Sequence, residues 1–549
     1  MAISDASAAH STPSHPGEPF DVVVVGAGFA GLYLLHRLRK MGLDVVVLEA
    51  GNDVGGTWYW NRYPGARCDV ESLEYSYSFS EELQQEWKWT DRYAGQPEIL
   101  AYIHHVADRF DLRRDIRLDT RVVDAEFDGD TNRWTIKTEN GLTLSSRFCI
   151  MGTGCLSSAK VPDLPGLASF KGDWFHTGNW PRDGVDFTGK RVGVVGTGST
   201  AIQAIPIIAK QAAELHVFQR TANYSIPLRN TPLSPEHEQR IKGQYQKVRQ
   251  IARTCPSGVA GFNVADKAAL ETPADERERI FEERWNFGGV GFTRAFKDIL
   301  FKEEANKLAR DFVVSKMLAV VDDPEVATKL TPKYPIGTKR LCADTGYFQT
   351  YNRENVTLVD IEASPLVEAT EKGLRTAERE YELDAIVFAT GFDAITGALL
   401  AVNMRVKNGS DLKSKWAHGP RAYLGVMAAG LPNLFMVTGP GSPSVLSNVV
   451  VSIEQHVDWI ADCLDYLRAN GLNRIEAEQA AETAWGEHVD AVANLSLLPQ
   501  AKSWYTGANI EGKPRVFMPY MGGVGVFREK CDAIAKAGYT GFTTAAVAE

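Results

Sequence analysis

Two glycine turns, Gly26-Ala27-Gly28-Phe29-Ala30-Gly31 and Gly196-Thr197-Gly198-Ser199-Thr200-Ala201, have the spacing of pyrophosphate cradles. The first glycine allows the tight turn, the second lets a phosphate approach the backbone, and the third, or an alanine, lets helix pack on strand. The phosphates then sit on free N–H groups at the positive end of a helix. Glu49 follows Gly31 by 18 residues, at the end of the next strand. A carboxylate there accepts ribose hydroxyls and repels a 2′-phosphate, so the first turn takes FAD or NAD. The second turn's next strand ends in Gln219-Arg220-Thr221, with no carboxylate. An arginine and a hydroxyl suit a 2′-phosphate, so this turn, with Thr197, Ser199 and Thr200, takes NADP. Opposite preferences in one chain indicate an FAD enzyme reduced by NADPH.

The elements that must position these turns are legible as repeated grammar. FDVVVV reads as a strand buried on both faces, and Leu32, Leu35 and Leu38 then recur at helical spacing. Arg191–Val195 is the strand of the second unit, with a helix from about Ser199 and a further strand ending at Phe218. Pro206 lies inside that helix and is expected to kink it. Segments 145–154 and 382–391 both read as apolar strands ending in small residues, and mark crossings between two domains. The fold class expected is α/β, with two Rossmann-like dinucleotide-binding domains, the NADP domain inserted into the FAD domain. The division is 19–154 and 390–549 for FAD and 155–389 for NADP. A charged, helix-prone excursion occupies 225–335. Near the end, Ser452–Ala469 and Glu476–Asn494 show helical patterns.

Composition narrows the partners. The chain has 549 residues, which favours several domains or two large ones. Its 59 Lys and Arg against 69 Asp and Glu give a net charge of −10, which argues against nucleic acid or anionic lipid as a partner. No apolar run is long enough to span a membrane. Residues 1–18 lack a secretory pattern and read as a disordered tail. Seven cysteines without a C-x-x-C pair disfavour a zinc ribbon, any metal centre of that type, and a dithiol redox centre. A reduced, cytoplasmic setting and a monomer are expected. Electrons from the flavin have three possible acceptors: a disulfide, which the cysteine pattern weakens, a quinone, or dioxygen.

Two longer motifs bear on that choice. Residues 170–181, FKGDWFHTGNWP, fit F-x-G-x-x-x-H-x-x-x-W-P at Phe170, Gly172, His176, Trp180 and Pro181. Residues 55–69, GGTWYWNRYPGARCD, form a second signature ending in an aspartate. Both make the chain resemble the type I Baeyer–Villiger monooxygenases, flavoproteins that insert an oxygen atom beside a ketone. The resemblance runs from Asp21 to about Phe527. Within the family, RYPGARCDVESLEYSYSFS, VFQRTANYSIP and GPGSPSVLSN look most like the branch that takes phenylacetone and steroids.

The resemblance implies FAD and NADP(H) as cofactors, dioxygen and an aryl, cyclic or steroid-like ketone as substrates, and an ester or lactone as product. It implies a C4a-peroxyflavin that attacks the carbonyl. Arg340 matches the family's active-site arginine, a fixed cation for the negative charge that develops, and Asp69 matches its carboxylate partner. Lys339 joins Arg220 and Thr221 at the 2′-phosphate. Gly56, Thr57, Trp58 and Trp60 run along the flavin with Tyr75 near them, Arg67 touches the nicotinamide half, and Trp504 and Val449 belong to the cofactor end of the pocket. Ser444, Val445 and Leu446 border an apolar substrate pocket. His176 is implied to couple domain movement rather than to act as acid or base. The competing reading is an N- or S-oxidising flavin monooxygenase.

Overall fold

Four consecutive valines make Phe20–Val25 a strand that can bury both faces, and Val22, Val23 and Val24 are fully buried. In the computed structural model, which describes residues 19–261 and 265–548, this strand pairs in parallel with Val45–Leu48 on one side and Thr143–Met151 on the other. The expected tail, 1–18, lies outside the described residues. The eight-stranded sheet around it adds Ile116–Arg117, Val122–Asp128, Arg133–Thr138, Asn403–Val406 and Leu434–Met436. The first turn opens the helix Phe29–Lys40, whose Leu34, Leu35 and Leu38 are fully buried. Each such leucine contributes about 1.5–3 kcal/mol of burial. Much of that face packs on the long helix Val449–Ala469, whose first turn is capped by the Asn448 side chain.

The second sheet is five parallel strands in the order Val356–Asp360, Glu214–Gln219, Arg191–Val195, Ala385–Phe388, Asp173–His176. All five lie between Asp173 and Phe388, whereas the first sheet draws its strands from before Gly152 and after Val402. The chain therefore passes between the sheets twice, and the two passages run side by side. Ala159 bridges Phe392 in antiparallel fashion. Lys160 N–H donates to Gly391 O at 2.9 Å, Asp393 N–H to Ser158 O at 2.9 Å, and Ile395 N–H to Cys155 O at 2.7 Å.

The charged stretch after the second turn forms helices Pro235–Lys242, Tyr245–Thr254, Ala274–Phe287, Glu303–Leu318 and Pro324–Leu330. Two local expectations need correction. The helix expected from Ser452 starts at Val449, because Asn448 supplies the cap. The helix expected from Glu476 starts at Gln479. Arg474–Ala477 is instead a strand, with Ile475 and Ala477 buried at period two, paired to Phe542–Ala545 from the chain's end. Pro206 lies buried inside its helix, as the sequence places it, and the helix runs from Ser199 to Gln211. Among the described residues no helix is long and apolar enough to cross a membrane, and no His/Cys/Asp/Glu group could hold a metal. All seven cysteines are unpaired, and six are buried.

Candidate active site

One cavity of about 1640 Å³ runs between the two sheets and is lined by both glycine turns. The first turn is built by close approach. Gly26 has φ +100°, and a Cβ on Gly31 would lie 1.8 Å from Gly26 O. Gly28 faces Gly56 across the groove, so close that a Cβ on Gly56 would meet Gly28 Cα at 2.9 Å. Gly31 does not line the cavity; it packs the helix against the turn, while Gly26, Gly28, Phe29 and Ala30 face inward. Glu49 also lines it. Ala27 N–H donates to Glu49 Oε2 at 2.7 Å and Gly51 N–H to Oε1 at 2.8 Å. Burial nonetheless pushes the Glu49 carboxyl above the ordinary carboxylate range. A buried carboxylate so braced has further lone pairs for ribose hydroxyls.

Gly56 precedes the short helix Thr57–Trp60, and Thr57, Trp58 and Trp60 line the cavity with Tyr75. Trp58 Nε1 donates to Tyr75 Oη at 3.1 Å, which fixes both rings. Opposite them, Gly196 has φ +110°, and a Cβ there would lie 2.5 Å from Ala389 O. Gly198 has open space where its Cβ would be, as a phosphate approach requires. Thr197 Oγ1 donates to Thr221 O at 2.8 Å, tying the turn to the next strand's end. Ser199 Oγ lies 3.3 Å from Cys342 Sγ, and Thr200 Oγ1 lies 3.2 Å from Thr177 Oγ1. Arg220, Thr221 and Lys339 line the cavity together. Lys339 Nζ sits 4.5 Å from the Tyr334 ring centroid, and burial and Arg220 both lower its pKa. The glycine floor, the braced Glu49 and these cations fit the two dinucleotides expected of the turns.

Between the turns, Arg340 grips Asp69. Arg340 Nη2 donates to Oδ1 at 2.8 Å and Oδ2 at 2.6 Å, and Nε donates to Oδ2 at 3.1 Å. Arg340 Nη1 donates to Val445 O at 2.7 Å, in the loop expected to border substrate. Asp69 is the leading cause that raises the guanidinium's pKa, so Arg340 stays charged. Trp504 packs on Tyr505 with ring centroids 4.5 Å apart. The Tyr505 phenol is pushed up to about 12 by burial, while the nearby Arg340 charge pulls it back.

Some expected residues are placed differently. Arg67 lines the cavity, but its Nη1 donates to Asp91 Oδ2 at 2.7 Å and to Tyr93 O, so its guanidinium is held by the flavin-side loop. Val445 and Val449 line the cavity; Ser444 and Leu446 do not. Ser444 Oγ lies 2.9 Å from Cys155 Sγ, and Leu446 packs with Trp504 in the apolar cluster around Tyr505 and Met518. A 3-10 turn over Ser444–Leu446 explains this, since it points successive side chains in different directions.

His176 is buried, and burial lowers its pKa, so it is neutral near pH 7. Gly178 N–H donates to its Nδ1 at 3.0 Å, which leaves the proton on Nε2, 3.3 Å from Thr390 Oγ1. It thus joins the last strand of the second sheet to the second passage between sheets. Lys160, Ile453, Ser503 and Asn509 also line the cavity and were not singled out from sequence. They lie in loops or on a helix face, where no spacing distinguishes them.

The family model described as pyridine nucleotide-disulphide oxidoreductase matches residues 23–307. A Baeyer–Villiger monooxygenase of Pseudooceanicola batsensis is 42% identical over 529 residues, 95% of this chain and 96% of that protein. A solved structure of oxidised steroid monooxygenase bound to NADP is 53% identical, with a TM-score of 0.92 over 96% of this chain and 99% of the other. A structure of OTEMO in complex with FAD and NADP is 40% identical, with a TM-score of 0.93 and the same coverage. With identity of this depth spread over nearly its whole length, the chain belongs to the Baeyer–Villiger monooxygenases.

Proposed function

We propose that this chain uses NADPH and dioxygen to convert an aryl, cyclic or steroid-like ketone into an ester or lactone, with Arg340 and Asp69 as its catalytic pair. The observation that carries the reading is a guanidinium that is held on two sides, by Asp69 and by Val445 O, in a cavity shared by both dinucleotide turns. Bound FAD, once reduced by NADPH, supplies the activation of dioxygen: one oxygen atom enters beside the carbonyl carbon and the other leaves as water.

The chain's own residues do the rest. Arg340 faces the cavity with a charge that no ordinary pH removes, and stabilises the negative oxygen that develops on the attacked carbonyl. Asp69 fixes the plane of the guanidinium and offsets the cost of holding a cation away from water. Val445, Val449 and Ile453 give the wall an apolar character that suits an uncharged ketone. Glu49 takes the FAD ribose, and Arg220, Thr221 and Lys339 take the 2′-phosphate of NADP(H). Residues 19–154 and 390–549 form the FAD-binding part in this reading, and 155–389 the NADP-binding part with its helical subdomain at 225–335. A monomer is the working unit in this reading, and seven unpaired cysteines support a reducing, cytoplasmic setting.

The test is aerobic NADPH consumption by the purified flavoprotein with aryl, cyclic and steroidal ketones and a thioether, with products read by mass. Ketone products heavier by one oxygen are expected. Oxygen transfer to the thioether but to no ketone would overturn the proposal in favour of an N- or S-oxidising enzyme.

A further inference from the structure

Lys160 lies in the first passage between the sheets, and none of the roles above uses it. Its backbone is pinned: its N–H donates to Gly391 O at 2.9 Å, and its carbonyl accepts from Thr390 Oγ1. Its Nζ donates to Asn509 O at 2.6 Å, in the segment that follows Trp504. The side chain lines the same cavity as Arg220, Thr221 and Lys339. Burial and the Arg220 charge both lower its pKa, and the same two causes act on Lys339.

Three cations are therefore gathered at one end of the cavity. Among the described residues, Lys160, Arg220 and Lys339 show no ion pair with a carboxylate, whereas Arg340 in the same cavity is paired with Asp69. Asp393 and Glu511 face Lys160 at longer range, but Asp393 is committed to Lys513. Like charges brought together in a partly desolvated site repel one another, and the arrangement is favourable when an anion fills it. An ammonium has three protons; Asn509 O uses one and two remain.

We propose that Lys160 is a third cation for the 2′-phosphate of NADP(H), supplied by the interdomain passage rather than by the second glycine turn. Through Asn509 O, the same ammonium links the segment after Trp504 to the phosphate-bearing end of the dinucleotide. Lys160 is thus a determinant of NADP over NAD that the strand-end residues alone do not account for. The proposal rests on the assignment of the second turn to NADPH.

The test measures binding of NADP⁺ and NAD⁺ to the oxidised flavoprotein by titration calorimetry, in wild type, Lys160→Gln and Lys160→Arg, with FAD content checked by absorbance. Gln keeps a donor for Asn509 O and removes the charge. A charge-assisted hydrogen bond is worth roughly 1.5–3 kcal/mol, so Lys160→Gln should weaken NADP⁺ about 10- to 100-fold. NAD⁺ binding should be unchanged, Lys160→Arg should stay near wild type, and the salt dependence of NADP⁺ binding should flatten in Lys160→Gln. Equal losses for both dinucleotides, or no loss for either, would show that Lys160 only braces Asn509 and would overturn the proposal alone. A wild type that binds no NADP⁺ would overturn the underlying assignment and the proposal with it.

Discussion

Asp69 and Arg340 stand 271 positions apart in the chain and meet in a forked ion pair, with Arg340 Nη2 2.6 Å from Asp69 Oδ2. Asp69 ends the signature loop on the flavin side, and Arg340 enters just before the short strand Cys342–Asp344 of the other half. Both residues line the cavity, so the pair ties its two sides together there. A planar guanidinium with two of its faces of contact used by Asp69 and Val445 O has little freedom to swing, which is what charge stabilisation without reorganisation requires.

Arg340→Ala removes the cation while leaving both glycine turns intact. Flavin reduction by NADPH without oxygen should continue at a rate near wild type. Ester formation should fall at least 10²- to 10³-fold, the usual loss on deleting such a donor. Stopped-flow reduction and product mass measure the two halves separately, and near-normal ester yield would remove Arg340 from the chemistry.

Asp69→Ala leaves the guanidinium without its acceptor, whereas Asp69→Asn keeps one oxygen to receive it. Both side chains retain some solvent contact, so the loss is set below that of a fully buried pair. Oxygenation should fall about 10- to 100-fold in Asp69→Ala and less in Asp69→Asn, in line with a charged hydrogen bond of roughly 1.5–3 kcal/mol. The ratio of product formed to NADPH consumed reads the effect.

Glu49 titrates above the ordinary carboxylate range because it is buried. If Glu49 takes the FAD ribose as proposed, the hydroxyls donate to its charged form, so FAD binding and deprotonation favour one another. FAD retention should weaken as pH falls through that raised pKa and strengthen as pH rises above it. Fluorescence of released FAD against pH reports this, and Glu49→Gln should bind FAD more weakly with a flatter pH profile.

His456 is fully buried, and Thr438 N–H donates to its Nδ1 at 2.9 Å. Burial lowers its pKa from 6.5 to about 3. The folded state thus binds a proton less readily than the unfolded chain. Its contribution to stability is complete above about pH 6.5 and is lost as pH falls from there toward 3, by up to about 1.4 kcal/mol per pH unit. Tm by calorimetry should be level above pH 6.5 and decline below it, with a shallower decline in His456→Gln.

Gly31→Ala would place a Cβ 1.8 Å from Gly26 O, so the first turn cannot keep its shape. Ala201, at the same point of the second turn, already carries that methyl group in a fully buried position. Gly31→Ala should yield protein with little FAD, seen as a lost yellow absorbance. Ala201→Gly should keep NADP⁺ binding and lose about 1 kcal/mol of stability.

Local pattern was sufficient for the strands Phe20–Val25 and Arg191–Val195, for both glycine turns, and for the contrast between Glu49 and Arg220, because each depends on neighbours within some 25 residues. Asp69 ends a signature motif, whereas Arg340 stands out only through the family resemblance, since no local motif surrounds it. Tertiary structure decided what those side chains touch. Arg67 and Arg340 both line the cavity, yet Arg67 is held by Asp91 and Tyr93 O of its own side, while Arg340 is held by Asp69 from the far part of the chain and by Val445 O. Ser444 and Val445 are adjacent, yet a 3-10 turn sends one to Cys155 and the other to the cavity wall. Glu476 sits in a helical pattern, yet pairing with the chain's last strand holds it extended. Lys160 carries no periodic or motif signal at all. In each case the deciding partner comes from elsewhere in the chain, and short-range spacing holds no information about a contact that only folding creates.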